Sequence, residues 1–366
     1  MVEIRLEKIR HVYPGNVEAV RNITITFKDK TFNSLLGPSG CGKTTLMKII
    51  AGLLKPTEGR VYFDGEDVTD MKPQARNIAM VFQFPVVYDM SVYDNLAFPL
   101  MVRKTPKNEI RRKVLEIAEL LELKDLLHLH AGRLDSGGKQ RVAIGRALVR
   151  TPNAFILDEP FSNIDPDSRY VLRAKLKEIQ KSLKQTMVFV THDQAEALTL
   201  ADWVAVMKDG EILQYDTPEN VYENPANTFV AYFIGMPAMN LIDCSLEDGK
   251  LVTGEFSYDV SDISDLLKSH GREFLLGIRA EHIDISREAA GPDYISLKCV
   301  LVENLGTLRL LHLEGRGLEL KVKTKRLDIN EGDTVWIRLR REKVKIFKKS
   351  GERVVSVSYT HLTLPT

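Results

Sequence analysis

Gly37-Pro38-Ser39-Gly40-Cys41-Gly42-Lys43-Thr44 has the spacing G-x-x-x-x-G-K-[ST], a run suited to holding phosphates. Gly37, Gly40 and Gly42 open backbone conformations that a side chain blocks. The N–H groups of such a loop, and of the helix that follows it, converge on an anion. Lys43 reaches the β- and γ-phosphates of a nucleotide, and the Thr44 hydroxyl is placed to ligate Mg²⁺. Thr45 completes the nucleotide-binding set at the helix start.

A second group of chemistry-bearing residues stands where apolar runs end. Residues 154–157 lead into Asp158-Glu159-Pro160. Asp158 suits the Mg²⁺ shell of a phosphoryl-transfer site. Glu159 suits the polarisation or deprotonation of attacking water. Residues 78–82 lead into Gln83, whose amide oxygen can reach Mg²⁺ or that water; taken singly it is an ordinary loop residue. Residues 187–191 lead into His192, placed for γ-phosphate contact, although a lone histidine is more often structural. In open α/β sheets ligands bind at the carboxyl ends of the strands, where all three stand. Tyr13 reads equally as a ring for stacking on a purine or as a half-buried strand tyrosine. Asp135 and Ser136 both suit the N-cap of a helix running to Arg150. That helix start either meets a phosphate or is simply capped.

The elements that carry these residues follow from hydrophobic pattern. The continuous apolar runs, 32–36 before the loop included, read as buried parallel strands, and 45–51 reads as a helix ending near Gly52. Residues 3–9 and 21–27 read as strands, and 59–68 as a hairpin turning at Asp64-Gly65. Ile110, Val114, Ile117, Leu120 and Leu121 recur at helical spacing, so 85–133 reads as a helical insertion. Its entry, Pro85 to Met90, is either a partner contact or core. A helix after Ser162-Asn163-Ile164-Asp165-Pro166 runs to about Leu183, and a hairpin turns over Lys208-Asp209-Gly210. The stretch 218–233 is helical, Pro237 marks a boundary, and short strands follow at 274–278, 295–303, 309–313, 318–322 and 334–339. Such spacing predicts a small β-barrel or sandwich, without a catalytic constellation of its own.

Composition narrows the class. A chain of 366 residues, 44% hydrophobic, has room for two domains. Lys+Arg 51 against Asp+Glu 50 argues against a nucleic-acid partner. Cys41, Cys244 and Cys299 are too few and too widely spaced for a disulfide framework or metal cluster, which fits a reducing compartment. There is no secretory signal and no apolar stretch of the ~20 residues that span a bilayer, so membrane work requires an anchoring partner. A guanine-specific N-K-x-D motif is absent, against a GTPase. The last residues, from about 356 to 366, look like a translated sequencing adaptor and are set aside.

In this order the parts resemble an ABC-transporter ATPase, over essentially residues 1–355. Within that family they are similar to the ATP-binding subunits of carbohydrate importers of the maltose and glycerol-3-phosphate type. The resemblance implies an α/β P-loop NTPase domain at 1–236 with a helical subdomain at about 85–140. It also implies an all-β OB-type regulatory domain at 237–355, marked by Gly277-Ile278-Arg279-Ala280-Glu281. It makes Gly37–Thr44 the Walker A loop, Gln83 the Q-loop glutamine, Asp158 the Walker B aspartate and Glu159 the catalytic glutamate. Ser162 and Asp165 match the D-loop, His192 the switch histidine and Tyr13 the adenine-stacking aromatic. Thr44, Gln83 and Asp158 become the metal-facing set. The implied cofactors are ATP and Mg²⁺. The implied partners are permease subunits, an extracytoplasmic solute-binding protein, and a second ATPase chain, identical or not, at the cytoplasmic membrane face.

Two features depart from the family pattern. The stretch after Gln83 is one residue shorter than the usual importer loop. The signature, usually L-S-G-G-Q, reads Leu134-Asp135-Ser136-Gly137-Gly138 without a gap. Either Asp135 replaces the serine that faces the opposite subunit's γ-phosphate, or the turn slips by one residue and keeps Ser136-Gly137-Gly138 in that place. A regulatory ATP-binding subunit with weak hydrolysis, and import of a polyamine, metal or anion, are the alternative readings. Soluble ABC proteins of repair or translation need tandem cassettes or a long coiled coil, which this chain lacks.

Overall fold

The computed structural model describes residues 2–162 and 164–356; the adaptor-like tail beyond them lies outside the described residues. The chain divides into two units after Pro218.

In the first unit the strands are β1 (Ile4–Tyr13), β2 (Val17–Phe27), β3 (Phe32–Leu36), β4 (Glu58–Phe63), β5 (Glu66–Asp67), β6 (Ile78–Val81), β7 (Ala154–Asp158), β8 (Thr186–Thr191), β9 (Trp203–Lys208) and β10 (Glu211–Asp216). The helices are α1 (Lys43–Ile50), α2 (Pro73–Arg76), α3 (Val92–Val102), α4 (Lys107–Leu120), α5 (Ser136–Leu148), α6 (Pro166–Leu183) and α7 (Gln194–Leu200). One sheet has the order β2-β1-β4-β5 and is antiparallel. The other has the order β10-β9-β3-β8-β7-β6. Its strands from β9 to β6 are parallel, and only the edge strand β10 runs against its neighbour.

Every residue of β3, β7 and β8 is buried. That explains their unbroken apolar runs, because a parallel sheet is covered on both faces. Ile4, Leu6 and Ile9 from one sheet and Leu35, Ile156 and Val190 from the other share a core with Leu46, Met47, Ile49 and Ile50 of α1. Register then sets the site. Leu36 pairs with Thr191, Asp158 with Val190, and Val81 with Leu157, so β3, β8, β7 and β6 end level with one another. Between β6 and β7 lie α3, α4 and α5. Helix α4 buries Ile110, Val114, Ile117 and Ala118, the face its period predicts. The buried Asn95 side chain ties α3 to the carbonyls of Tyr88, Met90 and Ser91.

The second unit holds α8 (Pro218–Glu223) and α9 (Thr228–Phe233). Then come β11 (Asn240–Glu247), β12 (Lys250–Thr253), β13 (Phe256–Asp259), α10 (Ser264–Lys268), β14 (Glu273–Ile278), β15 (Ile283–Ser286) and β16 (Ile295–Asn304). Last are β17 (Arg309–Gly315), β18 (Leu318–Thr324), β19 (Thr334–Leu339), β20 (Lys345–Lys348) and β21 (Arg353–Ser356). Two antiparallel sheets, β13-β12-β11-β14-β20-β21 and β15-β19-β16-β17-β18, enclose one apolar core. The compact unit starts at Glu219, earlier than the boundary read at Pro237. Arg279 gives the reason. Its guanidinium, 2% exposed, donates to the carbonyls of Tyr222 (2.8 Å), Ala231 (3.2 Å) and Ile234, so α8 and α9 fold with the β-strands that follow.

Candidate active site

The loop after β3 is pressed between neighbouring strands. A Cβ at Gly42, where φ is +103°, would stand 2.1 Å from the Ala19 carbonyl oxygen. At Gly37 it would stand 2.2 Å from the Met207 carbonyl oxygen. Only glycine fits either place. Lys43 donates through Nζ to the carbonyls of Gly37 and Pro38, both at 2.8 Å, and so braces the loop from inside. Helix α1 has no side-chain cap and no acid in its first turn. Its free N–H groups and positive dipole end make an anion seat. Burial pushes the Cys41 thiol up, against the pull of nearby Lys43.

The level strand ends bring the other residues together. Asp158 is buried at the end of β7, and the Thr44 hydroxyl lies 3.5 Å from its Oδ1. Glu159 follows with φ +45°, its N–H bonded to the Val190 carbonyl at 3.1 Å. Two side chains from different strand ends hold its carboxylate. Gln83 donates through Nε2 to Oε2 at 2.9 Å, and His192 Nδ1 lies 3.2 Å from Oε1. The Ser162 hydroxyl donates to the Glu159 carbonyl at 3.1 Å. Asp165 caps α6, accepting from Ser168 N–H at 3.0 Å. Tyr13 ends β1 with its hydroxyl 3.2 Å from Thr45 Oγ1 and its ring in edge contact with His11 at 4.7 Å.

The residues fit a hard divalent cation. Burial, and then the negative charge of Glu159, pushes the Asp158 carboxyl above its ordinary value. Thr44, Asp158 and Gln83 offer oxygens only, and few of them. Mg²⁺ takes one or two carboxylates and completes its shell with water and substrate phosphates. Consistent with that, no group of three or more His, Cys, Asp or Glu among the described residues would hold a metal unaided.

Of the signature residues Asp135, Ser136, Gly137 and Gly138, Asp135 and Gly138 bond to one another, and Gly137 lies against Ser168 of α6. Asp135 is the N-cap of α5, and its Oδ1 accepts from Gly138 N–H at 2.7 Å. The helix is continuous from Ser136 onward. Sequence pattern assigns no role to Arg173 or Glu196, which sit beside the His192 loop, because the arginine and the glutamate come from different helices.

Comparison with known proteins agrees with this geometry. The ABC transporter family model matches residues 20–162, the MalK OB fold domain 235–283, and the TOBE domain 276–347. The trehalose/maltose import ATP-binding protein MalK of Thermococcus litoralis is 42% identical, over 97% of this chain and 100% of its own. The sn-glycerol-3-phosphate import ATP-binding protein UgpC of Bordetella avium is 40% identical, over 85% and 86%. The oligosaccharides import ATP-binding protein MsmX of Bacillus subtilis is 39% identical, over 96% and 99%. Among solved structures, CbiO1 of Clostridium perfringens, part of the ABC transporter complex CbiONQ, superposes with a TM-score of 0.57 at 31% identity. That likeness covers 60% of this chain and 89% of CbiO1. With relatives 42%, 40% and 39% identical over most of both chains, and ABC transporter, MalK OB and TOBE segments in order along it, this chain belongs to the family of ABC-transporter ATP-binding proteins.

Proposed function

We propose that this chain hydrolyses ATP with Mg²⁺ to drive import of a sugar, polyol or glycerol-3-phosphate-like solute, with Glu159 as the general base. The observation that carries this is the Glu159 carboxylate, held by Gln83 and His192 beside Asp158 and the phosphate loop. The loop N–H groups, the open start of α1 and Lys43 bind the phosphates, and Tyr13 stacks on adenine. Thr44, Asp158 and Gln83 would hold Mg²⁺, which supplies charge neutralisation on the phosphates. Glu159 takes the proton of the attacking water, and His192 orients the γ-phosphate end. Most of the rate comes from positioning and charge stabilisation.

The solute class rests on the relatives, named for trehalose/maltose, oligosaccharide and sn-glycerol-3-phosphate import. No described helix is long and apolar enough to cross a membrane, so the permease partners must be met on the surface. Phe82, Phe84, Val86, Tyr88, Phe98 and Val102 line an exposed groove suited to such a contact. Phe82 and Phe84 of its wall flank Gln83, which links docking to Glu159. The chain then works at the cytoplasmic membrane face, paired with a second ATPase chain and served by an extracytoplasmic binding protein. To test this, the chain is assembled with permeases and binding protein in vesicles. ATP turnover should rise with saccharide or glycerol-3-phosphate; a rise only with polyamine, metal or inorganic anion would overturn the solute class.

One observation favours a narrower reading of the pairing. The Asp135 carboxylate already occupies the Gly138 N–H at the start of α5. If that helix start faces the opposite chain's γ-phosphate, two negative groups meet in a partly dry site. A homodimer carries this cost in each ATP site. The pairing we favour is therefore with a non-identical ATPase, whose signature completes the site that uses Glu159.

A further inference from the structure

Arg173, on the second turn of α6, faces two loops at once. Its Nη2 donates to Glu196 Oε1 and lies 3.4 Å from Asp193 Oδ2. Its guanidinium carbon stands 5.6 Å from the ring centre of Phe161, two residues beyond Glu159 and 1% exposed. Glu196 is 4% exposed, and its second oxygen accepts from the Thr191 hydroxyl at 2.6 Å. The Thr191 hydroxyl oxygen in turn accepts from Asp193 N–H at 3.0 Å. Asp193 then caps α7, accepting from the N–H groups of Ala195 and Glu196 at 2.8 and 3.2 Å. His192 is thus the exposed member of a loop whose neighbours on both sides are tied down.

The arrangement has a cost without function. A carboxylate this buried needs a cation partner to stay charged. An apolar side chain would cover α7 more simply. What the charged version adds is a bridge: one Arg173 nitrogen, Nη2, meets the carboxylates of both Glu196 and Asp193. Glu159, Ser162, Arg169, Thr191, His192, Asp193 and Glu196 also line one small cleft, so the clamp shares a wall with the reacting carboxylate.

We propose that Arg173 and Glu196 are positioning residues that clamp the loops after β7 and β8 together, and so set the contact between Glu159 and His192. This rests on the reading of Glu159 and His192 as the hydrolytic pair. Because Asp165 caps α6, the clamp also ties the hydrolytic pair to Asp165. Neither residue touches nucleotide in this account. Their effect passes through His192, which makes the role separable from plain stability.

The test is a double-mutant cycle on ATP hydrolysis by the full chain with Mg²⁺, alone and with permeases. Arg173→Met keeps the aliphatic stem and removes the guanidinium. It should lower kcat by about 10- to 100-fold through lost alignment, with KM for ATP close to the parent in the folded enzyme, while the unpaired Glu196 lowers the melting temperature. In a His192→Ala background the same change should cost less than about twofold more, because the aligned group is already gone. Arg173→Lys should restore part of kcat by returning the charge without the guanidinium's reach. Should Arg173→Met fail to fold, Glu196→Gln carries the same cycle, since its amide retains the Thr191 contact. Unchanged kcat in a folded Arg173 or Glu196 variant would overturn the clamp. So would a full second loss in the His192→Ala background, the mark of a purely structural role. Parent-level turnover by His192→Ala alone would overturn the hydrolytic reading itself, and the clamp with it.

Discussion

Glu159 owes its placing to neighbours far away in sequence. Gln83 and His192 reach it from separate strand ends, yet each was legible beforehand as a polar residue closing an apolar run. The phosphate loop was legible for a stricter reason: residue types at fixed spacing are what the chemistry requires. The clamp of Arg173 and Glu196 was not legible, because an arginine in one helix and a glutamate in another carry no local signal that they meet. The two readings of Tyr13 are likewise a matter of placement. Its hydroxyl lies 3.2 Å from Thr45 Oγ1 at the start of α1. Tyr13→Ala should weaken ATP binding by about 1–3 kcal/mol, by analogy with bases on aromatic platforms, while Tyr13→Trp should preserve it. Fluorescent-nucleotide titration measures this; equal affinity in Tyr13→Ala would reject the stacking role.

At the scale of elements, strand register does most of the positioning. Because β3, β8, β7 and β6 end together, residues far apart in sequence converge on one edge. The tight seat of the phosphate loop follows from the same packing. Gly42→Ala should force the loop off Ala19, cost about 1–3 kcal/mol of stability and sharply reduce ATP affinity. Thermal unfolding and nucleotide titration report both. Parallel strands were readable because burial on two faces demands unbroken apolar runs. In the second unit β11 escaped reading, since Asn240 and Cys244 point inward while Leu241 does not, which blurs the alternation. That unit also carries a pH response. Burial holds the His282 imidazole below its ordinary value, outweighing the pull of Glu223 at 3.8 Å and of Glu281. Lys343 and Arg340 push the same way as burial. The folded unit therefore favours the neutral ring, and the unfolded chain binds the proton more readily. The resulting stability is present above the ordinary histidine value of 6.5 and is lost as pH falls below it. His282→Gln should flatten the fall in melting temperature between about pH 7 and pH 5.5. An unchanged slope would assign that fall to other groups.

For the whole molecule, the proposed ATPase cycle rests on pairing between ATPase chains. The Asp135 cap predicts that this chain alone, or paired with itself, turns over ATP slowly. Asp135→Ser should raise turnover by the homodimer several-fold and leave turnover with a non-identical ATPase partner nearly unchanged. Brisk, cooperative hydrolysis by the parent homodimer with permeases, indifferent to Asp135→Ser, would contradict the unequal pairing. The assembled transporter also offers the most direct measurement of the central claim, ATP turnover by the parent against Glu159→Gln at matched nucleotide occupancy. Removing the base should cut kcat by about 10²–10⁴-fold while ATP binding is retained. Turnover by Glu159→Gln at the parent rate would show that Glu159 is not the base of this site.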